Sequence, residues 1–374
     1  MEQIMYAAFH EVVGNVSRTV KHYKQLLARP VVGVMPAYFP MEMIEAAGGY
    51  PVQLWGNNLP IHHADSHLQV FCCSVARSIL ELELSGKAEM VDAYAFTSLC
   101  DTLINLREIY RGLFSKPTLE LSMPITQTAE ARRTYLRSVL ETVTRGLESI
   151  TGKSITDDSL KKAAQVHGYT RELQRELYQI RREKPGLIKN HDFYSVMKAG
   201  FFLPRQVYNT MLESLLDGLR NASAPSGKRI KIIHTGLVFD PIQIYTMLDK
   251  YEIDIVDDDM ANGWRSASKG ELKVSHLVEG VAEYLYNPAP CCCLYNPERD
   301  RHTYLVDKVK KAGADGVLFW YVNFCEPDAF DTPQLVARLK EEHIPSTSID
   351  IELTMTNFDA IETRINAFRE MLGG

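Results

Sequence analysis

The chain has no apolar run long enough to span a bilayer, no basic stripe or tail and no low-complexity segment. The first absence excludes a transmembrane helix. The second, on a chain of net charge −6, removes the electrostatic footprint that nucleic-acid binding requires. The opening MEQIMYAAFHEVVGNVS lacks a basic stretch followed by an apolar one, so no export signal is expected and the compartment is expected to be the reducing cytoplasm. No G-x-x-x-x-G-K-S/T occurs, so an ATP-binding P-loop is not expected. Paired C-x-x-C motifs of the structural-zinc kind are absent, as is a ferredoxin-type C-x-x-C-x-x-C run.

What is present is an ordinary globular composition, 45% hydrophobic and 24% charged over 374 residues, enough for two compact domains. Residues 4–28 carry apolar side chains at helical spacing and read as one helix. Short β-branched runs then alternate with amphipathic ones. VVGVMPAYFP, YPVQLWG, DAYAFTSLC (92–100) and TLELSMP (118–124) read as strands, with helices between them at MEMIEAAGGY, SVARSILELELSG and DTLINLREIYRGLF. Residues 129–222 read as almost wholly helical, with Thr156 or Asp157 as the N-cap of a long helix. ASAPSGKR (222–229) is the clearest linker. Alternation resumes with strands at 230–239, 253–259, 315–325 and 345–352 and a terminal helix at AIETRINAFREML. The pattern predicts an α/β fold with two parallel sheets. The expected divisions are an N-terminal helix at 1–29, α/β domains at 30–128 and 228–374, and a helical region with linker at 129–227.

There are seven cysteines: Cys72, Cys73, Cys100, Cys291, Cys292, Cys293 and Cys325. An odd count cannot all pair, adjacent cysteines rarely bridge each other, and a reducing compartment favours metal ligation over disulfides. Burial as a small hydrophobe is the default for one cysteine, but seven gathered into a few short stretches point to a metal centre. Cys100 and Cys325 end predicted strands, where open parallel sheets bind ligands. Cys73 opens a helix, whose dipole favours a thiolate. The run Cys291–Cys293 lies in a Pro- and Asn-rich loop that reaches the same rim if the two halves face each other. An extended loop would put Cys291 and Cys293 on one side and leave Cys292 spare; Cys72 has an apolar helical face and reads as core. All-thiolate ligation favours iron–sulfur or zinc over harder metals, and with no nearby His pair iron–sulfur ranks first.

Carboxylates beside these thiols, Asp101, Glu326 and Asp328, are candidate proton donors, with helix capping as the competing reading. His67, with His62 and His63, precedes Cys73 and is a further candidate donor, or part of a solvated loop. Asp257, Asp258 and Asp259 can hold a divalent cation, although a solvated strand end is the preferred reading. Arg265, Arg299 and Arg301 are candidates for pairing with the phosphates of a bound cofactor or substrate, against plain surface arginine. Trp264, with Trp55, Trp320 and Tyr321, can line a flat pocket or simply pack in the core.

ADSHLQVFCCSVARSILELELSG, AYAFTSLCDTLINL, DGVLFWYVNFCEPDAFDTPQL and ETRINAFREML, taken with VVGVMPAYFPMEMIEAAGGYPVQLWG and VDDDMANGWRSAS, resemble the 2-hydroxyacyl-CoA dehydratase and ATP-dependent benzoyl-CoA reductase family, smaller subunit, over nearly the whole chain. The resemblance implies two flavodoxin-like domains with a helical part. It implies a 4Fe–4S cluster held by three cysteines, at positions matching Cys73, Cys100 and Cys325, with a further site open or filled by a non-protein ligand. It implies a larger homologous subunit, an acyl-CoA or aryl-CoA substrate, and a separate iron–sulfur ATPase that spends ATP to deliver single low-potential electrons. In the dehydratases that electron drives loss of a hydroxyl group through a ketyl radical; in the reductases it dearomatises the ring. The approach HADSHLQ and the strand end VDDD look more like the reductases. Cys72 and the Cys291–Cys293 run depart from the three-cysteine pattern and resemble the homodimeric double-cubane branch, whose 8Fe–9S cluster uses extra cysteines. The cysteine expected for that branch between the first two ligands is missing from residues 74–99. A non-catalytic electron-transfer subunit is the remaining alternative.

Overall fold

The computed structural model describes the chain apart from residues 1, 57, 126–127, 239, 275, 287–289, 295–299 and 374. Its two sheets are four-stranded and wholly parallel. The first is formed by β1 (Val31–Met35), β2 (Tyr50–Gln53), β3 (Ala93–Thr97) and β4 (Thr118–Leu121) in the order β2-β1-β3-β4. The second repeats that order with β5 (Ile230–Thr235), β6 (Ile253–Asp259), β7 (Gly316–Val322) and β8 (Ser346–Ile351) as β6-β5-β7-β8. Helices cover both faces, so β1, β3 and β6 are buried along their whole length; β1 and β3 read as near-continuous apolar or β-branched runs, whereas β6 ends in three aspartates. This is the flavodoxin-like arrangement. Each sheet reverses its winding between its two central strands, β1 and β3 or β5 and β7, and opens a crevice beyond their carboxyl ends.

Three strands stop earlier than their apolar runs suggest. β3 ends at Thr97, β5 at Thr235 and β7 at Val322. The neighbours set these limits: β3 pairs no further than Met35 on one side and Leu121 on the other. Beyond β7 the chain turns through Phe324, which adopts a left-handed φ of 62°. Cys100 and Cys325 therefore stand in loops past the ladders.

The N-terminal segment forms two helices, Glu2–Gly14 and Val16–Leu27, rather than one. The break falls at Gly14–Asn15, both poor helix formers. The helical region comprises Ala129–Thr151, Asp157–Glu183, Asn190–Ala199 and Arg205–Arg220. Its 27-residue member begins with a Thr156–Ser159 capping box and places Asp157 and Asp158 in the first turn and Arg181 and Arg182 in the last, matching the helix dipole. One contiguous core joins this region to both sheets, with a smaller cluster around Ile233, Leu305, Val317 and Leu335. Among the described residues no helix is long and apolar enough to cross a membrane.

Gly236 leaves β5 at φ 155°, and a Cβ there would sit 2.7 Å from the Trp320 carbonyl oxygen. Gly236→Ala should cost about 1–3 kcal/mol in urea unfolding. Gly112→Ala, facing open space near the end of the helix Asp101–Leu113, should be neutral or stabilising by up to about 1 kcal/mol. His191 Nδ1 lies 2.7 Å from Asp249 Oδ2, and this hydrogen bond raises the imidazole pKa. Its contribution is full below the ordinary histidine pKa of about 6.5 and is lost as pH rises through the raised value. The stability gap between wild type and His191→Gln should therefore narrow from about pH 6 to 8.

Candidate metal centre

The crevices of the two sheets open on one cavity. Pro36, Ala37 and Tyr38 enter it from beyond β1, Leu99 and Cys100 from beyond β3, Leu237 and Val238 from beyond β5, and Val322 and Cys325 from the end of β7. Cys73 and Cys293 complete the sulfur on its wall. The rest of the lining is apolar, so the space is dry and soft in donor character.

Cys73, Cys100 and Cys325 share a local geometry. Each is the N-cap of a helix, respectively Ser74–Leu84, Asp101–Leu113 and Glu326–Glu341, and none caps it through its side chain. Each thiol sits beside the first amide groups of its helix. Burial pushes Cys73 up to about 12 and raises Cys100 and Cys325, while hydrogen bonds from first-turn amides pull each the other way. Unliganded, these sulfurs hold their protons; a metal must displace them, and the helix N-termini then favour the thiolates.

The Cys291–Cys293 loop is not extended. Leu294 N–H donates to the Cys291 carbonyl at 3.1 Å, closing a tight turn, and the three sulfurs lie within 4.8 Å of one another. The premise that set Cys292 apart therefore fails. Each thiol has its own neighbour instead. Cys293 faces the cavity. Cys292 lies 3.6 Å from Asp328. Cys291 accepts from Arg265 Nη1 at 3.2 Å. Burial acts to raise Cys291, but hydrogen bonds from Cys292 and Cys293 and the charges of Arg265 and Arg301 hold it below an ordinary thiol.

Behind the turn, Asp259 accepts from Arg265 Nε at 2.8 Å and Nη2 at 2.7 Å, with Arg301 Nη2 at 3.4 Å. Arg265 and Asp259 are fully buried. Arg301 also pairs with Asp331, so a phosphate would have to displace carboxylates from both arginines. Arg299 lies outside the described residues. Asp257, Asp258 and Asp259 do not form a solvated strand end: all three are buried because each has its own partners. Asp257 pairs with Arg182 and Lys308, and Asp258 accepts from the Tyr178 hydroxyl and the Trp264 amide. Trp264 packs edge-on against Tyr178 under Lys308 and borders a cleft of about 530 Å³ shared with Tyr38, Tyr284 and Tyr304. Trp55 and Trp320 are core.

Glu326, Asp101 and His67 are exposed. Glu326 and Asp101 lie close enough to Cys100 to raise its pKa. The carboxyl that is buried beside the sulfur is Asp328, whose pKa burial raises against the pull of Arg301 and Arg265. Its place in the sequence marks only the first turn of a helix; the turn that brings Cys292 to it has no local signature. Tyr38, too, carried no signal: it adopts a left-handed φ of 68° and lines both the thiol cavity and the outer cleft.

The model of the family described as 2-hydroxyglutaryl-CoA dehydratase, D-component, matches residues 36–372. Similar curated proteins include the (R)-phenyllactyl-CoA dehydratase beta subunit of Clostridium sporogenes, 28% identical over 97% of both chains. The lactoyl-CoA dehydratase beta subunit of Anaerotignum propionicum is 27% identical over 97% of both. A benzoyl-CoA reductase subunit of Thauera aromatica is 27% identical over 92% of this chain and 91% of its own.

Asp259→Asn leaves two buried guanidiniums short of their counter-charge and should cost about 3–5 kcal/mol in chemical denaturation. The double variant Asp259→Leu/Arg265→Leu should lose less than that single one.

Proposed function

We propose that this chain, which belongs to the 2-hydroxyglutaryl-CoA dehydratase D-component family, is the iron–sulfur subunit of an ATP-dependent acyl-CoA enzyme. The supporting observation is the convergence of three N-cap thiols, drawn from both sheets, on one apolar cavity. That donor set fits a thiolate-held cluster and no hard cation. Cys73, Cys100 and Cys325 would hold a 4Fe–4S cluster, and Cys293, on the wall of the same cavity, would be its further ligand. Bound there, such a cluster supplies single low-potential electrons.

The chain's own residues do the rest. Val75, Leu99, Val238 and Val322 keep water from the sulfurs. The helix N-termini offset the negative charge of the thiolates. Cys292 donates to Asp328 at 3.6 Å, and burial raises the pKa of that carboxyl. The cleft edged by Trp264, Tyr284 and Tyr304 is of the size that takes a small ligand, and Tyr38 spans from it to the thiol cavity. We place the acyl end of the thioester there.

The reaction proposed first is electron delivery to an aryl-CoA ring, as the name of the Thauera relative suggests. The second reading, the small subunit of a 2-hydroxyacyl-CoA dehydratase, is favoured by the fuller coverage of the Clostridium and Anaerotignum relatives. Both take a larger homologous subunit and a separate iron–sulfur ATPase as partners. An 8Fe–9S cluster in a homodimer would recruit more of the Cys291–Cys293 turn.

Anaerobically purified protein should contain about four iron atoms per chain; about eight would indicate the larger cluster, and zinc without iron would refute both. Cys73→Ser, Cys100→Ser and Cys325→Ser should each lose the iron, and Cys292→Ser should keep it. With the larger subunit and ATPase supplied, turnover of benzoyl-CoA against an (R)-2-hydroxyacyl-CoA decides between reductase and dehydratase.

A further inference from the structure

A second cavity adjoins the thiol cavity, with Tyr38 and Ala261 in the wall of both. It lies between the short helix Met41–Ala46, the long helix Asp157–Glu183 and the loop that follows the helix Trp264–Ala267. Unlike its neighbour it is polar and charged. Glu42, Gln53, Arg171, Arg205, Lys269 and Tyr284 line it.

Its donors are incompletely used. Arg171 gives Nη1 to Glu42 at 2.7 Å, but among the described residues its Nη2 has no hydrogen-bond partner, although the residue is only 6% exposed. Gln53 Nε2 likewise has none, at 4% exposed. Lys269 Nζ faces the rings of Tyr284 and Tyr38 at 5.4 and 5.8 Å. Burial pushes its pKa down to about 8, with Glu42 opposing and Arg171 adding to that drop. Arg205 Nη1 donates to the Gly200 carbonyl at 2.6 Å, and its charge is offset at longer range by Glu45 and Glu42. Glu42 is the carboxylate in the lining; Glu45, 2.8 Å from His167, and the exposed Glu172 lie outside it. Among the lining residues Arg171, Arg205 and Lys269 outnumber Glu42, so the wall itself carries a surplus positive charge.

We propose that this cavity is a binding site for a small carboxylate anion of two or three carbons. A carboxylate has two acceptor oxygens, each able to take two hydrogen bonds, and one negative charge. It therefore answers both deficits, the unpaired donors and the surplus cation. Water would answer only the first. The volume of about 50 Å³ fits this class. At roughly 10–15 Å³ per water-sized centre it takes a handful of heavy atoms, and it is too small for a CoA thioester. The site uses none of the cysteines, so it stands or falls separately from the iron–sulfur reading.

The test is isothermal titration of the full chain with sodium acetate, against sodium chloride and inorganic phosphate at matched ionic strength. Saturable one-site binding of acetate is expected, with chloride and phosphate at least tenfold weaker. Gln53→Glu, which supplies a carboxylate in place of a donor, should weaken acetate binding by tenfold or more. Lys269→Met, at the half-buried edge and tolerable to the fold, should do so as well. Absence of saturable heat, equal binding of chloride, or unchanged acetate affinity in folded Lys269→Met protein would overturn the assignment. Iron content measured on the same samples should not change with either variant.

Discussion

The structure turns on the meeting of two crevices. A parallel sheet wound in both directions must leave a gap beyond its central strands, and a helix starting at that gap points its amide groups into it. Here two such sheets with the same strand order present their gaps to one cavity, and three of the helices that start around it are N-capped by cysteine. Chain segments far apart in sequence are thereby held at one point by a fold and not by a local peptide motif. The dry walls and helix dipoles act in opposition: burial keeps the unliganded thiols protonated, and the amide groups stabilise them once a metal has removed the protons.

The Cys291–Cys293 turn reaches this centre by a different route. It depends on a buried ionic stack in which Asp259 holds Arg265 and Arg265 holds Cys291. Such a stack stabilises little for its own sake, since the desolvation of each charge offsets much of the attraction. Its effect is to fix the direction of three thiols: one to the cation, one to Asp328 and one into the cavity. Removing the carboxylate would free the turn before it touched any sulfur.

Much of this was legible beforehand, for physical reasons. Fully buried parallel strands announce themselves as β-branched runs, so both sheets and the helical region between them could be placed. Cys100 and Cys325 could be assigned to the stretch between a strand and the next helix, although the strands stop three residues before each of them. Contacts between distant segments were not legible. IDIVDDD looks like a solvated acidic end, and only Lys308, Arg182, Tyr178 and Arg265, arriving from elsewhere, explain why it is buried. Three adjacent cysteines suggested alternation along an extended loop, whereas a turn gathers their sulfurs. The polar cavity around Arg171 was not legible, because one face of the long helix meets residues from distant segments, among them Glu42, Arg205 and Lys269.

The most direct measurement of the central claim is the anomalous scattering of anaerobically grown crystals collected on either side of the iron absorption edge. The account predicts an iron peak inside the cavity bounded by Cys73, Cys100 and Cys325, with Cys293 at its rim. An empty cavity, or iron confined to the Cys291–Cys293 turn and away from the three N-cap sulfurs, would contradict it.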